Sequence, residues 1–538
     1  MLLGLAWLTL GALAVRLVGI GCGLPHHVEP DSMLVKHAAW FARPAGAGES
    51  FLCGPDTFYP RFLSWLIAIL PGRSYPTPAP LDAGLAAHLA ALAVPYLKAR
   101  IVIACLSVLA VPATFFLARR FFEARWALVA AAFVATSLLA TNYAQQARPH
   151  AAMAGLMSLG LVLVLRILDR PSAWNYALAG LGAGLALAGL HNGACVVLAL
   201  GAAQLLARGR SWKGFALACA VLLAVALPAW WAILQKGLEP GERGGVSIGG
   251  QELNTTLFSG RGFPDIARYL FGYEPLMCAA ALVLLGCWAL RRVRVGERMA
   301  PLLVLAACFV PYVLVFGSRN VVESRFFVPF VPVLALATTG ALHALRLNLG
   351  FAALALVPQT FACVKLVALR AQGETLEVAA HWLEQHADRE HDAIGLQPTF
   401  SLPLFTKRAD LEAMNPRFRS SWELYQLALP GEPAGAWDLR CIAREEWWKT
   451  SPAASVAEFA RAEKLAYGIG VVPTGKAAGH NEVLAGLRSA GTPLLELHPY
   501  DPLELDVSSS AYEMGYFAFL RVMHSGRWGH PVEIVRLR

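Results

Sequence analysis

ARIVIACLSVLAVPATFFLARRFFEARWALVAAAFVATSLLATNYAQQARPH, from Ala99 to His150, is the stretch that decides the fold. Two apolar runs, 99–118 and 126–142, are divided by a short turn carrying Arg119, Arg120 and Arg125. Each run has the length, roughly 17 to 25 residues, at which an α-helix crosses a hydrocarbon core of about 30 Å. Lipid offers no partner to a backbone amide, so a run of this kind has to satisfy its own groups as a helix. The stretch therefore reads as a membrane hairpin with a basic turn.

Working outward, the same signal recurs at 2–20, 151–168, 174–190, 194–207, 214–234, 275–290, 300–316, 326–345 and 349–367, which makes about eleven spans. Hydrophobic residues are 57% of the 538 and charged residues 15%, a balance that excludes an ordinary soluble protein. The fold class expected is a polytopic α-helical membrane protein. Met1 to Ile20 has almost no basic lead and no small-residue cleavage site, so it reads as a retained first span.

Arginines and lysines in short loops set orientation. Besides Arg119, Arg120 and Arg125, these are Arg166 and Arg170, then Arg208, Arg210 and Lys213, then Arg291, Arg292, Arg294 and Arg298, and finally Arg346. With eleven spans all of them face one side, which is then cytoplasmic. The long segments fall on the other side: Gly21–Lys98, Asn142–His150, Gln235–Glu274, Gly317–Arg325 and the tail after Arg370. Residues 1–370 thus form a membrane module. Residues 371–538 have ordinary polarity and read as an extracytoplasmic α/β domain, opened by a helix over TLEVAAHWLEQHAD and containing the strand-like LAYGIGVVP. The formal charge of +9 comes largely from the cytoplasmic arginines, which face anionic headgroups. No basic run is interleaved with aromatics, so no nucleic acid partner is expected. The ten cysteines and the histidines show no zinc spacing, and Cys22 and Cys53 share a loop in which a disulfide is an open alternative.

The first outer loop, 21–98, carries Glu29, Asp31, Lys36 and His37. Its second part, DTFYPRFLSWLIAILPG from Asp56 to Gly72, is apolar but too short to span. It suits a helix lying in the interface, with Tyr59 and Trp65 at headgroup depth. The second outer loop brings Arg148 and His150, and the ninth-to-tenth loop brings Arg319, Glu323 and Arg325 to the same surface. A carboxylate beside several cations is the pair of tools for moving a group off a lipid phosphate. The base takes the proton of an acceptor hydroxyl, and guanidinium groups neutralise the departing phosphate.

These parts, in this order, resemble the GT-C membrane glycosyltransferases of the protein-mannosyltransferase and aminoarabinose-transferase type, glycosyltransferase family 39. The residues that carry the resemblance are EPDS at Glu29–Ser32, FYP at Phe58–Pro60, QQARPH at Gln145–His150 and ESRFFVPFVP at Glu323–Pro332. It covers about residues 1–370, and the tail is similar to the variable outer domain of many relatives. The resemblance implies a GT-C-like fold and transfer of a sugar from a polyprenyl-phosphate donor to a lipid, glycan or protein acceptor. It implies Asp31 as the acceptor-activating base, with Arg148 and Arg325 on the donor phosphate. Arg319 and His150 belong to the same phosphate set, and Lys36, Tyr59 and Glu323 to substrate or loop positioning. Two departures stand out: Ser32 replaces the second acid of the signature, for which Glu29 is a stand-in, and His150 replaces an acid near the fourth span. No cofactor is called, and a divalent cation stays open.

Each signal also has a plain reading. Asp31 before SMLVKHAAWF is a good helix N-cap, Arg148 is placed to reach headgroups, and Glu323 with Arg325 is a candidate structural pair. His26 and His27 lack a third spaced ligand, His191-Asn192-Gly193 reads as a tight turn, and GGVSIGG reads as a flexible segment rather than a phosphate cradle. The competing classes are a transporter or lipid flippase, and a catalytically lapsed relative that binds a partner or glycan. A transporter calls for ionisable residues in mid-span and for internal repeats, and the sequence shows neither.

Overall fold

The structure is a computed structural model describing residues 1–27, 33–43, 59–236, 238–240, 246–248, 251–253, 259–290, 298–320, 322–398, 400–442, 453–471, 478–499 and 514–537. All eleven expected segments are helical. Among the described residues six helices are long and apolar enough to cross a membrane: Leu85–Ala118, Pro149–Asp169, Trp212–Gln235, Met299–Ser318, Ser324–Ala344 and Leu349–Ala371. Two bent pairs raise this to eight, Ala124–Ala135 with Leu138–Ala144 at 51° and Gly262–Tyr273 with Pro275–Ala289 at 119°. Leu2–Leu17 and His191–Leu206 are apolar but shorter, and Ala173–Gly189 is a 17-residue helix in its expected place.

Small residues let the helices approach, which is how membrane helices gain contact when water offers no drive. A Cβ on Gly155 would stand 2.1 Å from the Leu106 carbonyl oxygen, and one on Gly180 would stand 2.2 Å from that of Ala218. The second span begins much earlier than expected, at Leu85, because its two internal cations are satisfied in place. Lys98 Nζ donates to the Gly72 carbonyl at 2.9 Å and to Ser74 Oγ at 2.6 Å. Arg100 Nη1 donates to the carbonyls of Ile20 and Cys22, both at 2.8 Å. Lys98, which reads as the end of the first loop, and Arg100, at the start of the expected span, are therefore both interior to a continuous helix. At the opposite end of the bundle Arg120 pairs with Asp169 at 2.5 Å, joining the basic turn to the end of Pro149–Asp169.

Eight strands are described: β1 Leu238–Pro240, β2 Val246–Ile248, β3 Gln251–Leu253, β4 Ile394–Leu396, β5 Leu439–Cys441, β6 Tyr467–Val471, β7 Thr492–Leu497 and β8 Val532–Arg536. β1, β2 and β3 make a small antiparallel sheet, so the centre of GGVSIGG is a strand rather than a flexible segment. The others form one sheet in the order β5-β4-β6-β8-β7, parallel at β5-β4-β6 and antiparallel at β6-β8-β7. The expected helix over TLEVAAHWLEQHAD is Thr375–His386, and LAYGIGVVP supplies β6, all five of whose residues are buried.

The tail does not hang off the helices. Trp422, Tyr425, Met514, Ala518, Val522 and Trp528 share one buried apolar cluster with the helical bundle. Tyr96 and Ser421 join the two parts by a hydroxyl hydrogen bond of 2.8 Å. A separate core, with Leu376, Leu383, Ile394, Ile469, Val532 and Ile534, lies between Thr375–His386 and the sheet.

Candidate functional site

Arg148 is the residue before Pro149, and the pyrrolidine ring that follows forces it out of the α region, here to φ −119° and ψ 144°. Pro149 then opens the helix Pro149–Asp169 at the position where a missing N–H costs nothing. Arg148 and the next histidine, His150, are both buried. Facing them is the turn that follows Met299–Ser318: Arg319 caps that helix in extended backbone, and Ser324–Phe330 is a 3-10 segment leading into Val331–Ala344. Arg325 pairs with Glu323, and its guanidinium carbon stands 5.2 Å over the ring of Phe326. The His150 ring meets that phenyl edge to face at 5.2 Å, and Phe316 stacks on it at 4.8 Å. The charges acting on His150 are those of Arg325 and Arg148.

Hydrogen bonds hold these loops in register. Tyr143 and Ser324 share a hydroxyl bond of 2.6 Å, tying the half-helix Leu138–Ala144 to the start of Ser324–Phe330. Tyr312 donates to the Phe326 carbonyl at 2.6 Å, and Asn192 Nδ2 donates to the Tyr312 hydroxyl at 3.3 Å. The turn His191–Gly193 is therefore fixed to the same spot. The Arg319 carbonyl accepts from the Gly262 amide at 2.8 Å. Gly262 is the only residue that fits there, since a Cβ would lie 2.1 Å from the Phe316 carbonyl oxygen. Burial first, and then the charge of Arg319, push His191 down to about 4, so it is neutral at pH 7. Among the described residues, three guanidinium groups, of Arg148 (buried) and of Arg319 and Arg325 (half-buried), stand against the one carboxylate of Glu323, a balance that favours an anion.

The structure thus brings together Arg148, His150, Arg319, Glu323 and Arg325. Lys36 and Tyr59 belong to the first loop: Lys36 is half-buried on the helix Met33–Ala42, which packs against Phe62–Ile69, and Tyr59 is buried where the chain enters the latter. Asp31, Glu29 and Ser32 lie outside the described residues, as do Cys53 and Phe58. His37, on Met33–Ala42, is pushed down to about 4 by burial and by Arg61. The Arg61 amide donates to the Ala229 carbonyl at 2.9 Å. The helix it caps, Phe62–Ile69, also contacts Ala173–Gly189, whose next turn is His191. The first-loop pair therefore sits at the same end of the bundle as His191.

Sequence reasoning passed over Arg61 and His191. A cation directly after the Tyr-Pro entry to an interfacial helix was the available signal for Arg61. For His191 the Asn-Gly that follows it favoured a turn, and the turn is real.

Two further residues close this end. Arg370 donates to Asn142 Oδ1 and to Gln145 Oε1, each at 2.6 Å, and lies 4.3 Å from the centre of the Trp528 ring. Glu374 is fully buried and receives His26 Nε2 at 2.6 Å and His27 Nδ1 at 2.9 Å. The two histidines that looked incidental are thus bound to one carboxylate. Among the described residues, no three His, Cys, Asp or Glu side chains gather as metal ligands.

Residues 80–232 match the family model described as dolichyl-phosphate-mannose-protein mannosyltransferase. The matched segment runs from the start of Leu85–Ala118 to the helix Trp212–Gln235 and includes Arg148, His150 and His191. ArnT from Cupriavidus metallidurans bound to undecaprenyl phosphate is similar at 16% identity and a TM-score of 0.46, covering 98% of each chain. The Archaeoglobus fulgidus oligosaccharyltransferase in complex with Zn and sulfate gives 14% identity and a TM-score of 0.48, over 92% of this chain and 72% of that one. The arabinofuranosyltransferase AftD from Mycobacteria gives 14% and 0.43, over 99% of this chain and 40% of that one. No curated protein matches the chain.

Proposed function

We propose that this protein is a GT-C glycosyltransferase that moves a sugar from a polyprenyl-phosphate donor to a hydroxyl acceptor at the outer face of the cytoplasmic membrane, in one inverting displacement. The carboxylate of Asp31, with Glu29 in support, takes the acceptor hydroxyl proton. The acceptor oxygen bonds to the anomeric carbon as the bond from that carbon to the phosphate oxygen breaks. Polyprenyl phosphate leaves, and Arg148 and Arg325, aided by Arg319, neutralise its charge. The observation that carries this reading is the gathering of Arg148, His150 and Arg325 at one end of the bundle from two loops distant in sequence. The description of the matched family, a lipid-phosphate sugar transferase, supports the donor class. In this reading residues 1–370 form the catalytic module, the cluster faces outward, and residues 371–538 serve acceptor choice on the same side.

The test is transfer by the purified full chain in proteoliposomes supplied with a panel of polyprenyl-phosphate sugars, with release of polyprenyl phosphate as the readout. Asp31→Asn is expected to lower release by about 100-fold or more, the usual weight of a general base. Full release by that variant would remove Asp31 from the mechanism.

A further inference from the structure

The expected span 126–142 is broken at Thr136–Ser137, and the break is finished as carefully as a helix end in water. A helix leaves its last four carbonyls and first amides without internal partners, and in lipid these have to be met by the protein. The last carbonyls of Ala124–Ala135 are all met. Ala132 accepts from the Thr136 amide at 3.0 Å and Phe133 from Gln359 Nε2 at 3.1 Å. Val134 accepts from Arg16 Nη2 and Ala135 from Arg16 Nη1, both at 3.3 Å. On the far side of the break, the first amides of Leu138–Ala144 are met as well. Leu139 donates to Glu274 Oε1 at 3.0 Å, and Ala140 to Ser137 Oγ, whose hydroxyl itself donates to Glu274 at 2.5 Å. Arg16 and Glu274 are both buried.

The groups match the ends they meet, a guanidinium donating to the carbonyl end of one half and a carboxyl oxygen accepting at the amide end of the next. Neither residue is near the other in sequence. Arg16 comes from the last turn of Leu2–Leu17, and Glu274 from the 119° bend between Gly262–Tyr273 and Pro275–Ala289. The half-helix they steer supplies Asn142 to Arg370 and Tyr143 to Ser324, and four residues after it comes Arg148.

We propose that Arg16 and Glu274 are positioning residues for the anion site: by capping the two sides of the break at Thr136–Ser137 they fix the direction of Leu138–Ala144, and so the place of Arg148. The link to an anion rests on the reading of the arginine cluster given under Proposed function.

The test uses a thiol pair the fold almost supplies. Thr141 Oγ1, on the steered half-helix, lies 3.2 Å from the native Cys363 Sγ. Thr141→Cys in the full-length protein is expected to oxidise to a disulfide with Cys363, seen by peptide mapping after copper phenanthroline. Adding Arg16→Met or Glu274→Leu should lower that yield several-fold and weaken binding of undecaprenyl phosphate about 10-fold or more. Gly201→Ala, on a helix elsewhere where a Cβ meets open space, should do neither. Arg16→Lys, which keeps a donor cation, and Glu274→Gln, which keeps the acceptor oxygen, should recover part of both effects, and they replace the harsher variants where those do not fold. Unchanged cross-linking in the Arg16→Met and Glu274→Leu variants overturns the proposal. A parent protein that does not bind undecaprenyl phosphate overturns the lipid-phosphate reading alone, because the cross-link reports the half-helix without any ligand.

Discussion

Arg325→Met is the substitution whose outcome is best defined by the geometry. The guanidinium pairs with Glu323, lies over Phe326 and acts on His150, so the variant removes a charge without opening the loop, which Tyr312 and Tyr143 still hold. A hydrogen bond to a charged group contributes about 1.5–3 kcal/mol, and about 2 kcal/mol corresponds to roughly 30-fold in affinity. At a ligand concentration of about 100 times Kd, binding stabilises the parent protein by about 2.7 kcal/mol. The same concentration would leave the variant only about 0.9 kcal/mol of stabilisation. The assay is thermal unfolding in detergent with undecaprenyl phosphate, and with undecaprenol as the uncharged control. The phosphate is expected to raise the parent's melting temperature, the alcohol to do little, and Arg325→Met to lose about two thirds of the shift. Arg325→Lys should fall between, since it keeps the charge but loses the planar stack and the two-pronged geometry. Glu323→Gln moves the other way: releasing the guanidinium from its carboxylate should keep or strengthen binding. An Arg325→Met protein stabilised as strongly as the parent, or a parent stabilised equally by undecaprenol, would refute the reasoning.

Three other outcomes follow from the same structure. Gly180→Val sets side-chain atoms into the Ala218 carbonyl, where a Cβ alone would stand at 2.2 Å; overpacking of this kind costs about 1–3 kcal/mol, read as earlier loss of monodispersity on heating in detergent. Glu374→Gln tests the buried carboxylate. Burial alone would raise that group, but His27 and His26 outweigh it and hold it below its ordinary 4.5. Its contribution is therefore fully present above that pH and is lost progressively as pH falls from there toward the lowered value. The variant should be less stable than the parent by about 2 kcal/mol at pH 7 and converge on it as pH drops below about 4.5. Asp410→Asn has the opposite sign, because burial and then Asp438 push that carboxyl up from 3.8 to about 6. Its ionised form opposes folding above that value, so the variant should gain about 1 kcal/mol at pH 7.5 and nothing near pH 4, checked by melting curves at both.

The helices were legible because a span must satisfy its backbone locally, and apolar run length reports that directly. The loop residues that became the cluster were legible too, since Arg148, His150 and Arg325 stand where short polar stretches interrupt long apolar ones. What stayed hidden depends on partners far off in the chain. The run 126–142 gives no hint of a break, because the groups that cap it come from Arg16, Glu274 and Gln359. His26 and His27 looked incidental because their carboxylate lies 348 and 347 positions away. Leu85–Ala118 looked shorter than it is because Lys98 and Arg100 find carbonyls that local reading does not supply.

Arg370 has a consequence in time as well as in space. It grips the second outer loop at Asn142, 228 positions earlier in the chain. At about 5–20 residues per second, roughly 10 to 45 seconds separate the synthesis of the two. Trp528, which Arg370 faces, comes later still. The segment leading to Arg148 is thus made well before its clamp, and the clamp before the ring it lies against.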